Sequence, residues 1–207
     1  MKRTIKPFTF GAARLAFAGA VCLSLTGCLS IGGKTPDQLL RLTPDESAPA
    51  GATSSGAIAD AIMVMDPEAD RSLDMLRVPV RVDASSLAYL KDATWIEKPT
   101  RLFRSLLAET IRSRTDRLVI EGGDFEIAGK TRVGGRLLQM GYDAQSSSVI
   151  VRFDAVIGQG GPGTDLRTRR FESVISGIEP EAAYVGPAIN RAANDVARQV
   201  ADWVKAG

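Results

Sequence analysis

Apolar side chains recur at two spacings along this chain, and the spacings predict two helices and a set of strands. From Pro99 onward the apolar positions follow the i, i+3, i+4, i+8 spacing of one helix face, and proline is tolerated at the first helical position. A second helix is predicted for 180–206, where one apolar stripe runs unbroken. The stripe positions are Phe103, Leu106, Leu107 and Ile111 in the first helix and Val185, Ile189, Ala192, Val196, Val200 and Trp203 in the second.

Alternating apolar and polar residues, or short apolar runs, predict the strands. Before the first helix these patterns lie at 38–43, 57–65, 76–82 and 86–90. Between the helices they lie at 117–120, 133–142, 149–157 and 166–175. The order of strands, helix, strands, helix predicts an α+β fold. We expect a single domain with a largely antiparallel sheet and two main amphipathic helices packed on one face.

The first 27 residues have the pattern of an export signal. Three basic residues open the chain, and the apolar stretch 15–25 is too short for a membrane span of about 20 residues. The next residues resemble a bacterial lipobox, in which the cysteine is alkylated with diacylglycerol and the signal is cut before it. The lipobox residues are Leu25, Thr26, Gly27 and Cys28. The alternative is an ordinary signal peptide with a chance cysteine, although no clean A-x-A cleavage site lies nearby.

These patterns divide the chain into three parts. Residues 1–27 are the expected lipoprotein signal peptide. Residues 28–56 are the lipid-anchored lead, the first short strand and a flexible loop rich in Pro, Ala, Ser, Thr and Gly. Residues 57–207 are the α+β periplasmic domain, and we expect the strand at 38–43 to belong to its sheet.

Removal of the leader changes both the charge and the number of thiols. The whole chain has 26 basic and 24 acidic residues, but four basic ones lie in the leader, which leaves a net charge of −2. A basic nucleic-acid surface is therefore not expected. Cys22 leaves with the leader and Cys28 would carry the lipid, so no thiol remains for a disulfide, a nucleophile or a metal.

The sequence contains no histidine. This excludes Ser-His-Asp and Cys-His catalysis and nearly all zinc and copper sites. Acid–base chemistry would have to come from carboxylates, lysine or tyrosine. We therefore expect a protein that is not an enzyme, binds no metal and has no cofactor apart from the covalent lipid on Cys28.

Two local motifs resemble ligand sites, but each has a plainer interpretation. Residues 158–163 fit G-x-G-x-x-G, yet a strand rather than a helix follows, which favours a wide hairpin loop. Asp66, Glu68 and Asp70 lack the glycine and the distal glutamate of a calcium loop, which favours an exposed turn.

Two groups of residues are candidates for contact with a partner. Arg167, Arg169 and Arg170 suit either an anionic partner or a solvated sheet edge whose charges discourage aggregation, and the second interpretation is favoured. Tyr89 and Trp95 precede the first helix. Trp95 either fixes that helix against the sheet, which residue chemistry favours, or contacts a partner together with Tyr89.

The segment from Tyr89 to Trp95, placed between a lipobox and an amphipathic helix, resembles the ABC-type transport auxiliary lipoproteins, the PqiC/YmbA-like family. The similarity covers nearly the whole mature chain. Its most specific part is Tyr89-Leu90, a short spacer, Trp95 and the helix sequence Pro99-Thr100-Arg101-Leu102-Phe103-Arg104-Ser105-Leu106-Leu107.

The resemblance implies a non-enzymatic accessory subunit. Such proteins work with an MCE-domain protein and, through it, with an ABC permease and ATPase that move lipids or other hydrophobic molecules across the Gram-negative envelope. Leu29 follows Cys28 where an inner-membrane lipoprotein would carry Asp, so we expect an anchor in the outer membrane that faces the periplasm. A homo-oligomer is a further expectation. The alternative is an envelope-assembly or peptidoglycan-synthase-regulating outer-membrane lipoprotein of similar architecture.

Overall fold

Strand β6 (Thr131–Asp143) is the axis of the sheet, because other strands pair along both of its edges. The computed structural model of the protein describes residues 38–122, 131–159 and 165–206. Along one edge of β6, β7 (Ser148–Gln159) pairs antiparallel over almost its whole length. β8 (Leu166–Ser176) pairs antiparallel with β7 in turn and forms the outer strand on that side. These three long strands follow the predicted alternation.

The other edge of β6 pairs with three short strands in succession, all parallel to it. They are β1 (Ile62–Val64), β2 (Glu68–Ala69) and β3 (Arg77–Arg81). β1 also pairs parallel with β5 (Val119–Glu121), and β3 pairs antiparallel with β4 (Leu87–Thr94). The sheet is therefore mixed: the longest ladders are antiparallel, as predicted, and the short strands beside β6 add parallel pairings that the alternation did not indicate.

Two helices, α1 (Pro99–Arg114) and α2 (Ala182–Lys205), share one apolar core with the sheet. The apolar positions predicted for α1 are all buried, and so are those of α2 apart from the half-buried Trp203. The indole of Trp203 lies against Phe171 of β8, with ring centroids 5.6 Å apart. The predicted α+β class and single domain are confirmed.

Three predicted strands differ from their sequence patterns by more than the usual shift at the ends. A short 3-10 helix, Ile58–Asp60, occupies the first half of the strand predicted at 57–65, and only residues 61–64 of that stretch are buried. The strand predicted at 86–90 continues to Thr94 as β4. The strand predicted at 38–43 is reduced to a single bridge between Leu40 and Trp95.

Residues 38–48, which we call the strap, leave the sheet after that bridge and cross both helices. The amide of Leu40 donates to the Thr94 carbonyl at 2.8 Å, and the Ile96 amide donates to the Leu40 carbonyl at 2.9 Å. Further along, the Ala48 amide donates to a Glu109 carboxylate oxygen of α1 at 2.8 Å. The strap is therefore held to the edge of the sheet at one end and to α1 at the other.

Two asparagines of α2 hold the middle of the strap. The Thr43 amide donates to Asn190 Oδ1 at 2.7 Å, and the Asp45 amide donates to Asn194 Oδ1 at 2.8 Å. Asn194 is only 2% exposed, and its Nδ2 donates to the Thr43 carbonyl at 2.9 Å. A buried amide that bonds the strap backbone on both sides fixes the position of the strap along the helix.

Candidate functional site

The outer edge of β4 is a surface to which another strand can be added. β3 pairs with one side of β4, whereas among the described residues the other side is bonded only by Leu40, next to Trp95. Leu87, at the start of β4, is exposed. Unpaired backbone groups at a sheet edge can be shared with a strand from a neighbouring chain.

An irregularity in β4 limits this edge to its first half. The pairing register with β3 shifts between Arg77 and Pro79, and Asp92 has a φ of 54°, which is uncommon for a residue other than glycine. Bulges of this kind bend an edge strand and end regular pairing. The part of the edge suited to pairing therefore begins at Leu87 and ends before Asp92.

Tyr89 lies in that first half, opposite Pro79 in the register. Its ring is half-buried, and the guanidinium carbon of Arg77 lies 4.5 Å from the ring centroid. A cation over a tyrosine face holds the ring in place while leaving part of it accessible. Tyr89 therefore remains a candidate residue for contact with a partner.

Trp95 does not offer a surface to a partner. It is 1% exposed, and its backbone amide donates to the Leu76 carbonyl at 2.8 Å. Its indole N–H is buried and has no acceptor among the described residues. This corrects the alternative in which Trp95 contacts a partner: the ring belongs to the apolar core that the sheet shares with α1 and α2.

On the face of β8 turned away from the helices, Arg170 is bound to a carboxylate of the next strand. Its Nε and Nη2 donate to the two oxygens of Asp154 at 2.6 and 2.7 Å. The hydrogen bond from Arg170 lowers the pKa of Asp154 below its usual value, and the same bond raises the pKa of Arg170. Beside this pair, Arg152 of β7 contacts Glu172 of β8. The outer face of these strands carries cross-strand ion pairs.

The other two arginines of the cluster lie over aromatic rings. Arg167 lies 5.4 Å from the ring centroid of Trp203, and Arg169 lies 5.0 Å from that of Phe171. Each arginine of the cluster thus has a partner within the chain, which supports the interpretation of a solvated sheet edge.

The carboxylates at 66 and 70 bind different arginines. Asp66 accepts from Arg104 Nη1 at 2.8 Å, and Asp70 contacts Arg136. Glu68 begins β2, a strand that the predicted exposed turn did not include. Within 38–122, 131–159 and 165–206, no group of three or more His, Cys, Asp or Glu side chains is placed to hold a metal ion.

A cleft of about 500 Å³ opens where β6 and β7 meet the end of α2. One of its lining residues, Arg117, donates to the Asp60 carbonyl at 2.9 and 2.7 Å and to Thr131 Oγ1 at 2.8 Å. This guanidinium is thus engaged in holding the chain together. Gly158 and Gln159 of the glycine-rich segment line the cleft, and the rest of that segment lies outside the described residues. A strand, β8, follows the segment, as predicted.

The lipidation residue Cys28 and the lipobox residues Leu25, Thr26 and Gly27 lie outside the described residues, so the anchor stays a prediction. Neither α1 nor α2 is long and apolar enough to cross a membrane.

Sequence analysis missed the residues that hold the strap. A signal was present, because Asn190 and Asn194 are four residues apart and therefore share one face of α2 beside its apolar stripe. Two side-chain amides on one face of a helix are able to bind the backbone of a segment that crosses it. The spacing does not identify that segment.

Comparison with known proteins gives similarity of fold. No family model and no curated protein matches the sequence. The structure is similar to that of protein XCC0632 from Xanthomonas campestris, which carries the family designation DUF330. The TM-score is 0.64, with 15% identity over 81% of this chain and 94% of that one. It is also similar to an uncharacterized protein, with a TM-score of 0.61 and 9% identity over 73% of this chain and 96% of that one. At these identities the likeness establishes the fold.

Proposed function

We propose that this protein is a lipid-anchored, non-enzymatic accessory subunit of an MCE/ABC-type envelope transport system that moves lipids or other hydrophobic molecules between membranes. The observation that carries the proposal is the fold shared with the DUF330 protein over 94% of that chain. DUF330 proteins correspond to the PqiC/YmbA-like family, to which the Tyr89–Trp95 segment and the following helix are similar.

The proposed anchor is a diacylglycerol on Cys28, with further acylation after the leader is removed. Stable attachment needs two or more acyl chains, because each buried methylene contributes about 0.8 kcal/mol. Since Leu29 follows the cysteine, the proposed location is the outer membrane, with the domain in the periplasm.

A role in binding rather than catalysis is supported by the side chains that the domain offers. The sequence has no histidine, and its two cysteines both lie within the first 28 residues. Many carboxylates of the described residues are held by basic side chains or by backbone amides, as Asp154 is by Arg170 and Asp83 is by the amides of Ser85 and Ser86. We propose that the protein acts through its surfaces, with no metal or cofactor beyond the lipid.

The proposed partner is an MCE-domain protein, which links the subunit to the permease and ATPase. We assign its contact to the first half of the β4 edge, where Leu87 is exposed and Tyr89 is accessible. Strand addition there would bury unpaired backbone groups of both chains. The same edge could instead serve a second copy of this chain, which gives the homo-oligomer.

The test is co-purification of the full-length lipoprotein with the MCE-domain protein whose gene lies nearest to its own. Two exposed leucines on opposite edges of the sheet provide matched variants: Leu87→Asp on β4 and Leu166→Asp on β8. We expect capture of the wild type and of Leu166→Asp, and loss of capture for Leu87→Asp. Loss of capture for Leu166→Asp alone would show that the contact lies on β8 and not on β4. Separate elution of the two wild-type proteins at high micromolar concentration, together with an unchanged envelope permeability on gene deletion, would reject the transport role.

A further inference from the structure

Three segments meet where the described chain begins. The Leu40 amide and carbonyl bond Thr94 and Ile96, and the Trp95 amide bonds the Leu76 carbonyl at 2.8 Å, so the start of the strap, the end of β4 and the residues before β3 lie side by side. On its inner side, Leu40 packs on the start of α2: its Cδ2 lies 2.7 Å from where a Cβ on Gly186 would be. The first turn of α2 is therefore the fourth element at this place.

Large apolar side chains are exposed on all four elements. Their exposed fractions lie between 44% and 59%. Each is within two residues of one of the contacts that hold the elements together. We call this set the exit patch, and its residues are Leu39, Met75, Leu76, Ile96 and Tyr184.

The place of the exit patch on the chain matters because of the proposed anchor. Gln38, the first described residue, is ten residues after Cys28. Ten residues span at most about 33–36 Å when fully extended. A domain of this size is about 40 Å across by the usual scaling. A lipid on Cys28 would therefore keep the exit patch within about one domain diameter of the bilayer.

We propose that the exit patch docks on the surface of the bilayer that holds the lipid anchor, with Ile96 and Leu39 inserted among the lipid head groups and first methylenes. This inference rests on the proposed lipidation of Cys28. It adds an orientation: the strap end of the domain faces the lipid, while the first half of the β4 edge and the β8 edge face the periplasm.

Two observations favour lipid over a protein partner. A tether of this length makes the encounter with the bilayer intramolecular, at an effective concentration in the millimolar range, so a small patch is sufficient. Tyr184 adds an amphipathic ring, a residue type that is enriched at the level of the lipid head groups.

Four of the charged groups beside the exit patch form two oppositely charged pairs. Lys98 Nζ lies 2.7 Å from an Asp74 oxygen, and Arg101 Nη1 lies 3.5 Å from a Glu97 oxygen. The apolar side chains, rather than a net charge, would therefore supply the contact. We expect docking on zwitterionic as well as on anionic lipid.

The experiment uses the acylated full-length lipoprotein with a single bimane label. Once Cys22 has left with the leader and Cys28 is acylated, an introduced cysteine is the only free thiol. Ile96→Cys reports on the exit patch, and Leu166→Cys, 68% exposed on β8, is the matched control. The protein is reconstituted in vesicles of phosphatidylethanolamine and phosphatidylglycerol with brominated acyl chains. We expect strong quenching at position 96 and little at position 166.

Each other outcome overturns the inference in a distinguishable way. Mass spectrometry of the same preparation measures the acyl groups on Cys28. If the protein is acylated but quenching is equal or absent at the two positions, the docking proposal is wrong and the anchor proposal stands. If Cys28 carries no acyl group, both the anchor proposal and the docking proposal are wrong. A concentration-dependent spectral shift at position 96 in lipid-free detergent assigns the exit patch to a second copy of the chain.

Discussion

The two faces of the β6–β7–β8 sheet differ in what their side chains do. On the face toward the helices, Phe153 and Val151 of β7 are fully buried and share one cluster with α1 and α2. On the other face, Asp154 and Arg152 pair with charged residues of β8 and remain partly exposed. Alternate residues of the same strand thus serve folding on one side and solubility and register on the other. The comparison implies that equivalent substitutions will have very different effects on the two faces.

The largest expected effect is from Val196→Asp on the core side. Val196 of α2 is completely buried, so the new carboxylate would have no partner and no water. Burying an unpaired charge costs several kcal/mol, which is comparable with the whole stability of a domain. We expect loss of the cooperative unfolding transition, measured by circular dichroism in urea. Arg191→Asp on the exposed side of the same helix should retain that transition, and equal loss in both variants would contradict the comparison.

Gly135→Ala should be the next most damaging change. Gly135 of β6 has a φ of 138°, and a Cβ there would lie 1.9 Å from the Asp154 carbonyl oxygen on β7. Backbone strain and overpacking together predict a loss of about 2–5 kcal/mol in the free energy of unfolding.

Its neighbour provides the control. A Cβ on Gly134 would lie 3.4 Å from the nearest atom, Cβ of Met65, so Gly134→Ala should change the stability by less than about 1 kcal/mol. Urea midpoints of both variants measure the difference. Similar midpoints would show that β6 and β7 approach each other less closely than described.

The smallest effect is expected on the outer face, from Asp154→Asn. An exposed ion pair contributes about 0–1 kcal/mol, and the partial exposure of Asp154 and Arg170 screens it. Because the pKa of Asp154 is lower in the folded state than its ordinary value of 3.8, its stabilising contribution is complete above about pH 5. The contribution is lost as the pH falls through the folded-state pKa.

The stability difference between wild type and Asp154→Asn should therefore shrink on acidification. Urea unfolding at pH 7 and below pH 3 measures it, and 1 M salt at pH 7 should also reduce it. A difference that stays constant between these pH values would mean that Arg170 contributes through packing rather than charge.

The sequence predicted those parts of the fold whose residues repeat a spacing. The stripes of α1 and α2 and the alternation of β6, β7 and β8 locate the core correctly, because each pattern faces a single apolar neighbour. Of the parallel strands beside β6, β1 and β3 lie within predicted strands, but their parallel pairing was not predicted. β2 was not predicted at all, since its two residues are too few to show a period. The position of the strap was missed for a related reason. Asn194 bonds backbone groups of the strap, and every residue has these groups, so the sequence does not distinguish the residues that are bound.

Of the candidate site, the sequence indicated Tyr89 and Trp95 as candidate partner contacts and favoured packing over contact for Trp95. The choice depends on whether the indole is buried. The strap residue that pairs with Trp95, Leu40, lies 55 positions earlier in the chain. Contacts between such distant segments depend on the tertiary fold, and no local sequence pattern predicts them.

The strap also determines how the domain would bear a mechanical load. Under the proposed tether, any force between the membrane and a partner enters the domain at Gln38 and first reaches the bonds between Leu40 and β4. The next contacts to be loaded are the hydrogen bonds from the strap backbone at Thr43 and Asp45 to the side-chain amides of Asn190 and Asn194. The pull is thus divided between the sheet and α2 before it reaches the apolar core. Under such a pull, the strap would be loaded before the helices and strands that form the apolar core.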